Sequence, residues 1–337
     1  MCNSRCKTCY IWELYRKQPS LKEKELTTEE IVKIFESLGK TVVWYTMSGG
    51  EPFLRPDIAE ICKAACEISC PEIINIPSNG LLPQLIETRT KQILERCDET
   101  TLIVNLSLDG IDQLQDEIRG IPGNFKIFLD TYQRLSKLRE EFPHFQLGIH
   151  SVISKFSINN ILDVYEYAKQ LNPNSYITEV AEERAELFTI GKEITPDFEQ
   201  YDRMVDQLSS RIRNDYLQSK KAISRATQAF RLAYYQIAAQ VLREKRQIVN
   251  CYAGYASCHI TPYGDIWLCC ILGHNKPLGN LREVNYDFKR IWFSKEANEA
   301  RKFVKSKQCY CPLANAHYTN ILFSAKAMFK VLRNMIL

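Results

Sequence analysis

Apolar, β-branched runs alternate with amphipathic stretches along the first half of the chain. The runs predict five buried strands, at 41–47, 72–77, 101–106, 146–153 and 175–180. The stretches between them predict helices at 28–38, 57–69, 82–97, 124–141 and 158–170. Strands and helices that alternate at this spacing indicate βα units built around a parallel sheet.

The second half has a different pattern. Residues 197–245 are helical in period and rich in basic side chains, whereas short segments, turns and cysteines follow residue 250. A hairpin is predicted from 259–262, a turn at 263–265 and 266–268, and the last stretch, 319–337, is again helical in period. We therefore expect an α/β unit over 1–185, a basic helical linker over 186–250, a small hairpin and helix domain over 251–316, and an amphipathic C-terminal helix over 317–337.

Short polar and glycine-rich segments follow the predicted strands. They are Ser48-Gly49-Gly50-Glu51, Ser78-Asn79-Gly80 and Ser107-Leu108-Asp109-Gly110, and Glu179 lies at the end of the last strand. Ligands of parallel α/β folds bind at the carboxyl ends of the strands. The sequence therefore predicts a binding site at this edge of the sheet.

Thirteen cysteines among 337 residues are many for a chain with no signal-peptide pattern and no apolar run of membrane-spanning length. In the reducing cytoplasm, where we expect this protein, clustered cysteines indicate metal ligands rather than disulfides. Cys2, Cys6 and Cys9 form a C-x3-C-x2-C group. Three thiolates on one short loop suit an iron–sulfur cluster with one open iron, although zinc remains an alternative.

A second group comprises Cys251, Cys258, Cys269 with Cys270 beside it, and the pair Cys309 and Cys311. These spacings fit an iron–sulfur cluster, and four thiolates around zinc fit them almost as well.

The cysteine loop followed in order by the three polar segments resembles the radical SAM superfamily, over about residues 1–185. The resemblance implies a partial (β/α)6 barrel, here without its first strand. It also implies that Cys2, Cys6 and Cys9 hold a 4Fe–4S cluster whose open iron binds S-adenosylmethionine (SAM). One-electron cleavage of SAM would then give a 5′-deoxyadenosyl radical that abstracts hydrogen from a substrate.

The same resemblance assigns roles to individual residues. Gly49 and Gly50 would let the backbone approach the methionyl group of SAM, and Glu51 would accept from its amine. The residues expected to hold the ribose or the methionine carboxylate are Ser78, Asn79, Ser107, Asp109 and Arg119.

The second cysteine group is similar to the SPASM/twitch extension of some radical SAM enzymes, which implies an auxiliary cluster. We expect one such cluster, held by Cys251, Cys258, Cys269 and either Cys309 or Cys311, with Cys270 as a substitute for Cys269. The partner expected from the resemblance is an electron donor such as flavodoxin or ferredoxin, and no nucleic acid is expected.

The net charge of +4 is unevenly distributed. Residues 211–246 hold nine Lys or Arg against two acids, and residues 301–337 hold seven and no acid. This favours an anionic substrate, such as a phosphorylated, sugar-linked or lipid-linked molecule. A peptide is the alternative, although the peptide-recognition domain that often precedes such barrels is not evident, and a non-catalytic zinc or iron scaffold is a further alternative.

Several residues are interpreted as structural. Cys62, Cys66, Cys70 and Cys97 are expected to pack in the core, and His150 is expected in the core or at its rim. Glu179 either contacts SAM or substrate or has a structural role. The C-terminal helix, with Lys326, Lys330 and Arg333 on one stripe, is expected to pack on the barrel, with contact to an anionic membrane as the alternative.

Overall fold

The computed structural model describes residues 1–217 and 222–336, and for residues 216–217, 222–225 and 336 it describes the backbone only. Its main sheet has five parallel strands in the order β1 to β5 and forms a partial barrel. The strands are β1 (Trp44–Thr46), β2 (Ile73–Ser78), β3 (Thr101–Ser107), β4 (Phe145–Ile153) and β5 (Ser175–Val180). This confirms the α/β class and the parallel arrangement predicted from the sequence.

Seven helices accompany this sheet: α1 (Ile11–Lys17), α2 (Thr28–Leu38), α3 (Ile58–Ser69), α4 (Pro83–Leu94), α5 (Gln113–Arg119), α6 (Asn124–Glu141) and α7 (Ile161–Gln170). Helix α2 begins with a capping box between Thr27 and Glu30, which explains why its start is readable from the sequence. The core lies between the sheet and the helices, where Ile74, Val104 and Phe128 are fully buried.

The first strand differs from its prediction. Residues 41–47 were expected to form a buried strand, but β1 is only three residues long and Trp44 is 52% exposed. Strand β1 pairs only with β2, so it forms an edge of the sheet in the described chain. The expectation of burial was wrong because position in a sheet is not encoded in a local apolar run.

The second half contains α8 (Phe198–Leu217) and α9 (Ala222–Glu244), then a three-stranded antiparallel sheet of β6 (His259–Ile260), β7 (Asp265–Trp267) and β8 (Gly279–Asn280). It ends with α10 (Phe288–Trp292), α11 (Lys295–Lys305), α12 (Ala314–Leu322) and α13 (Ala325–Ile336). The predicted hairpin is present as β6 and β7. Tyr201, Tyr234 and Tyr235 are fully buried, so these tyrosines serve helix packing.

The C-terminal stretch is two helices, and the prediction of a single helix over 319–337 was wrong. The helix is interrupted at Ser324. The Ser324 hydroxyl accepts a hydrogen bond from the Ala327 amide, so Ser324 caps the start of α13. Leu337 lies outside the described residues.

Some side chains of the two basic segments lie outside the described residues, and others are buried. Lys220 and Lys221 lie outside the described residues. Arg301 is buried and donates to the carbonyl oxygens of Gly254 and Trp292, at 2.6 Å in each case, so its role is structural. Within the described ranges, no helix has the length and hydropathy needed to cross a membrane.

Contacts between α2 and the segment that follows β8 hold the C-terminal domain against the barrel. The Arg282 guanidinium donates to both carboxylate oxygens of Glu30, at 2.6 and 2.7 Å, and the Tyr286 hydroxyl donates to the same carboxylate at 2.6 Å. The Arg282 hydrogen bond is the main reason that the pKa of Glu30 is lowered to about 2. The second cysteine group is therefore attached to the same body as the first.

Candidate functional site

The first cysteine group lies on a loop that precedes α1 and is bound by its backbone to the end of α5. The Arg5 amide donates to the Arg119 carbonyl at 3.0 Å, and the Lys7 amide donates to the Ile118 carbonyl at 2.9 Å. These bonds bring Cys6 to the carboxyl ends of the strands. The loop is thus a fixed part of the barrel rather than a free N-terminal segment.

Two glycines allow the close approach of this loop. A Cβ at Gly50 would lie 2.1 Å from the carbonyl oxygen of Met1, and one at Gly120 would lie 2.4 Å from that of Arg5. Gly120 also has φ +67°, which favours glycine. The sequence interpretation assigned Gly50 to SAM and did not single out Gly120. In the structure, both glycines make room for the cysteine loop.

The three thiols are close enough for their charges to interact. Burial, and then the charges of Cys6 and Cys2, raise the pKa of Cys9 to about 12, although a backbone hydrogen bond opposes this. Burial is also the main cause that raises the pKa of Cys2. The thiols of Cys2 and Cys9 therefore favour their protonated forms unless a cationic centre binds them, and a metal centre deprotonates its cysteine ligands.

Polar groups surround the sulfur atoms. The Ser4 hydroxyl lies 3.1 Å from Cys6 Sγ, Arg119 Nη1 donates to Cys6 Sγ at 3.6 Å, and Asn79 Nδ2 donates to Cys2 Sγ at 3.7 Å. Hydrogen bonds to thiolates are one of the ways in which proteins tune iron–sulfur clusters. The donor set fits a cluster at Cys2, Cys6 and Cys9.

Glu51 joins the segment after β1 to the segment after β2. Its Oε1 accepts from the Phe53 amide and the Ser78 hydroxyl, and its Oε2 accepts from the Asn79 amide at 2.7 Å. Burial raises the pKa of Glu51 to about 7 against these hydrogen bonds. Because each carboxylate oxygen can accept two hydrogen bonds, Oε2 retains capacity for one more donor.

Asp109 and Arg119 form a buried ion pair at this edge of the sheet. Arg119 Nη2 lies 2.8 Å from Asp109 Oδ2, and Asp109 Oδ1 accepts from the Val152 amide at 2.7 Å. Burial lowers the pKa of Arg119, but Asp109 and Cys6 outweigh it, so the guanidinium stays charged. Arg119 Nε is buried and makes no hydrogen bond to the described residues, which leaves one donor for an anionic group.

The loop after β3 leaves one hydroxyl available. Gln115, fully buried and not anticipated from the sequence, accepts from the amides of Asp109 and Gly110 and donates to the Ser107 carbonyl. The Ser107 side chain is half-buried and makes no hydrogen bond to the described part of the chain. Gly49 has φ +141°. A Cβ at this position would have no atom of the described residues within 4 Å. Ser107 and Gly49 thus border open space at the strand ends.

In the second group the thiols of four cysteines interact electrostatically: Cys251, Cys269, Cys309 and Cys311. Burial, followed by the charges of Cys251 and Cys309, raises the pKa of Cys269 to about 11, opposed by two backbone hydrogen bonds. Gln247 Nε2 donates to Cys309 Sγ at 3.7 Å. The thiols of Cys269, Cys309 and Cys311 therefore favour their protonated forms unless a cationic centre binds them. Both cysteines of the 309/311 pair belong to this set.

The other two cysteines of the second group, Cys258 and Cys270, have different main neighbours. Cys258 is exposed, and its charge acts on Tyr45 of β1 rather than on the other cysteines. Cys270 Sγ lies 3.7 Å from His259 Nδ1, and its charge interacts first with Glu186 and Arg184 and then, more weakly, with Cys269. The structure thus does not bring Cys258 to the four-cysteine set, and Cys270 faces a different neighbourhood.

The segment after β5 lies between the two groups. The Tyr10 amide donates to the Leu187 carbonyl at 2.9 Å, and the charge of Arg184 acts on the thiols of both Cys9 and Cys270. Glu182 in turn acts on Cys311. Residues 182–186 therefore border both cysteine groups.

Several polar atoms of this segment are unpaired. Within the described chain, Glu182 Oε2 and Arg184 Nε are buried without a hydrogen-bond partner, although Arg184 Nη1 lies 3.1 Å from Glu186. Burial is the main cause that raises the pKa of Glu182 to about 8. His150 Nε2, also buried, lies 3.7 Å from Glu179, beyond hydrogen-bond distance. Buried polar atoms without partners call for a ligand or water.

The cysteines expected in the core are only partly there. Cys62 and Cys97 are buried and Cys66 packs against the core, as predicted. Cys70 is exposed, so the expectation for it was wrong, because it adopts a left-handed conformation that ends α3. Among the described residues, no group of three His, Cys, Asp or Glu side chains is arranged around a single metal ion.

Two family models match this chain. The radical SAM superfamily matches residues 1–168, and the SPASM iron–sulfur cluster-binding domain matches residues 251–312. An AdoMet-dependent heme synthase of Methanosarcina barkeri (strain Fusaro / DSM 804) is 26% identical over 312 residues, which cover 88% of this chain and 80% of that protein.

A shorter match and a structural match accompany it. The sporulation killing factor maturation protein SkfB of Bacillus subtilis (strain 168) is 27% identical over 166 residues, covering 49% of this chain and 36% of SkfB. The fold is similar to that of native anSMEcpe with bound AdoMet, with a TM-score of 0.63 and 15% identity, covering 100% of this chain and 94% of that structure.

These matches indicate which cofactors the chain uses. A radical SAM domain implies a 4Fe–4S cluster and SAM, and a SPASM domain implies auxiliary iron–sulfur clusters. The homologous proteins are enzymes, so the alternative of a non-catalytic scaffold is not supported.

Proposed function

The chain belongs to the radical SAM superfamily and carries a SPASM domain, and we propose that it cleaves SAM reductively to a 5′-deoxyadenosyl radical that abstracts hydrogen from a substrate bound between the two cysteine groups. The observation that carries this proposal is the segment 182–186, which borders both groups and has unpaired polar atoms. Radical SAM enzymes need a reductant, and we propose a flavodoxin or ferredoxin in that role.

Residues of the barrel would position the cofactors. We assign the SAM-binding cluster to Cys2, Cys6 and Cys9, because their thiols interact with one another and Arg119 and Asn79 donate hydrogen bonds to Cys6 and Cys2. Glu51 Oε2 would accept from the SAM amine. Arg119 Nε and the Ser107 hydroxyl would contact the carboxylate or ribose, because neither has a partner in the described chain. Gly49 borders the open space in which SAM would lie.

Other predicted SAM ligands would act indirectly. Ser78 and Asn79 bind Glu51 and the cysteine loop, and Asp109 is paired with Arg119. A glycine is needed at position 50 because a side chain there would clash with the Met1 carbonyl oxygen. We therefore propose that these four residues position the cluster loop and the SAM-contacting groups. Breaking a buried ion pair such as Asp109–Arg119 costs on the order of 3–5 kcal/mol, which is enough to displace the loop.

The auxiliary cluster is assigned to Cys251, Cys269, Cys309 and Cys311. Their mutual electrostatic interactions support this set over one that includes the exposed Cys258. Four cysteines would complete the ligation of one cluster and leave Cys270 free to face the substrate.

The charges between the two groups bear on the substrate. Three acidic side chains, Glu179, Glu182 and Glu186, accompany Arg184 there, so among the described residues this position has no excess of basic side chains that would bind a phosphate. A group that donates hydrogen bonds would satisfy Glu182 Oε2. A peptide, with its many N–H donors, is therefore a candidate substrate, and the similarity to a maturation protein, SkfB, supports it.

The proposal is tested with reconstituted enzyme, SAM and dithionite, with fractions of small molecules and of peptides added separately. One fraction should raise 5′-deoxyadenosine formation above the rate without substrate. Glu182→Gln should keep that basal rate and lose most of the stimulation, because an amide cannot reproduce the hydrogen bonds that the carboxyl group would make with the substrate. The control Glu183→Gln, whose side chain accepts instead from the Gly191 amide, should keep both. Unchanged stimulation in Glu182→Gln would contradict the assigned substrate position.

A further inference from the structure

Helix α13 has two apolar sides, and only one of them packs against the rest of the described chain. Ala327 and Val331 are buried where α13 contacts α9, and Asn334 Nδ2 donates to the Ala229 carbonyl of α9 at 3.4 Å. This helix was expected to pack on the barrel, and in the structure its inner side packs mainly on α9. The outer side is free to serve another purpose.

Large apolar side chains are exposed on the outer side. Phe329 is 69% exposed and Leu332 is 52% exposed, and three residues apart on a helix they lie on the same face. Leu322 and Phe323, at the end of α12, are 57% and 60% exposed. These four make up a third of the twelve exposed large hydrophobic side chains of the described chain, within eleven consecutive positions. Such a concentration marks an interaction surface.

A row of cations runs beside this apolar face. Lys326, Lys330 and Arg333 follow at intervals of four and three residues, and the structure gives none of them an ion pair within the described ranges. The proximity of the three charges is evident at Lys330, where burial and then the charges of Lys326 and Arg333 lower the pKa. With no acidic residue from 301 to 337, this row has no local counter-charge.

A bulky apolar strip next to unpaired cations is the pattern of a helix that lies in the interface of an anionic bilayer. We propose that the outer face of α13, with the end of α12, docks the protein on a membrane surface rich in anionic phospholipid. Phe329 and Leu332 would enter the interface, while Lys326, Lys330 and Arg333 contact head-group phosphates. This docking is independent of the radical chemistry, because none of these residues belongs to either cysteine group.

The test is flotation of the full chain with vesicles of phosphatidylcholine alone or with about 30% phosphatidylglycerol. The protein should float with the anionic vesicles and be released as salt is raised, because the attraction is screened. Replacing Lys326, Lys330 and Arg333 together by Gln should weaken binding on the order of 100-fold. Phe329→Ser with Leu332→Ser should also abolish flotation, with an unchanged circular dichroism spectrum and thermal melt.

A matched control removes the same charge elsewhere. Lys302, Lys305 and Lys307 are exposed residues of the same acid-free stretch, and their triple Gln variant should float like the parent protein. Equal loss of binding in this control would overturn the proposal, since net charge alone would then be responsible. It would also be overturned by absence of binding to anionic vesicles, or by self-association without vesicles that Phe329→Ser with Leu332→Ser relieves. The latter would assign the face to a second copy of the chain.

Discussion

At the scale of single residues, the first cysteine loop depends on groups that are not ligands. Gly50 and Gly120 admit the backbone of Met1 and Arg5, and Ser4 contacts the Cys6 sulfur. A Cβ at Gly50 would lie so close to a backbone oxygen that the loop itself would have to move. The geometry of the cluster site is therefore determined as much by small residues around the loop as by the thiols.

The ligand set of the auxiliary cluster gives a prediction at the same scale. Cys269→Ser should remove about half of the iron from a chain that otherwise holds two four-iron clusters, because Cys269 interacts with the other proposed ligands. Cys258→Ser should leave the iron content unchanged, because Cys258 is exposed and apart from that set. Iron analysis of the two purified variants checks this. Loss of iron in Cys258→Ser would restore the ligand set expected from the sequence.

At the scale of elements, the contact between α2 and the C-terminal sheet joins the two cysteine groups. Arg282→Ala should lower the free energy of unfolding by about 1–3 kcal/mol, since it removes charged hydrogen bonds to Glu30 from a partly exposed site. Thermal melting of the metal-free chain measures this. Arg290→Ala, an exposed arginine of α10, is the control and should melt like the parent protein.

The stabilisation that the Glu30–Arg282 pair contributes depends on pH. The pKa of Glu30 is lowered from 4.5 to about 2 when folded, so its stabilisation is present above pH 4.5 and is lost as pH falls toward 2. The difference in melting temperature between the parent and Arg282→Ala should therefore shrink in acid. A difference that stays constant between pH 7 and pH 3 would contradict the role given to this pair.

Elements with local signals were predicted well, and features that depend on tertiary context were not. Helix α2 matches its predicted bounds because Thr27 and Glu30 form a capping box within four residues. The exposure of β1 depends on which strands flank it, and which side of α13 is buried depends on its contact with α9. The order of polar segments located the candidate site, whereas the roles of Gln115 and Gly120 required the folded loop.

At the scale of the whole molecule, one continuous arrangement connects the two cysteine groups. The first loop is bound to α5, the segment 182–186 borders both groups, and the SPASM domain is fixed to α2 through Glu30. A substrate placed against Glu182 would thus lie between the SAM-binding cluster and the auxiliary cluster. The outer face of α13 adds a separate surface that would place the enzyme at a membrane.

The most direct measurement is 5′-deoxyadenosine formation by the anaerobically reconstituted chain with SAM and dithionite. The parent protein should hold about eight irons and form 5′-deoxyadenosine. Cys6→Ala should form none and keep about half of the iron, whereas the control Cys70→Ala, an exposed cysteine outside both groups, should behave like the parent. An iron-loaded parent protein that forms no 5′-deoxyadenosine, or a Cys6→Ala variant that still forms it, would contradict the assignment of Cys2, Cys6 and Cys9 to SAM cleavage.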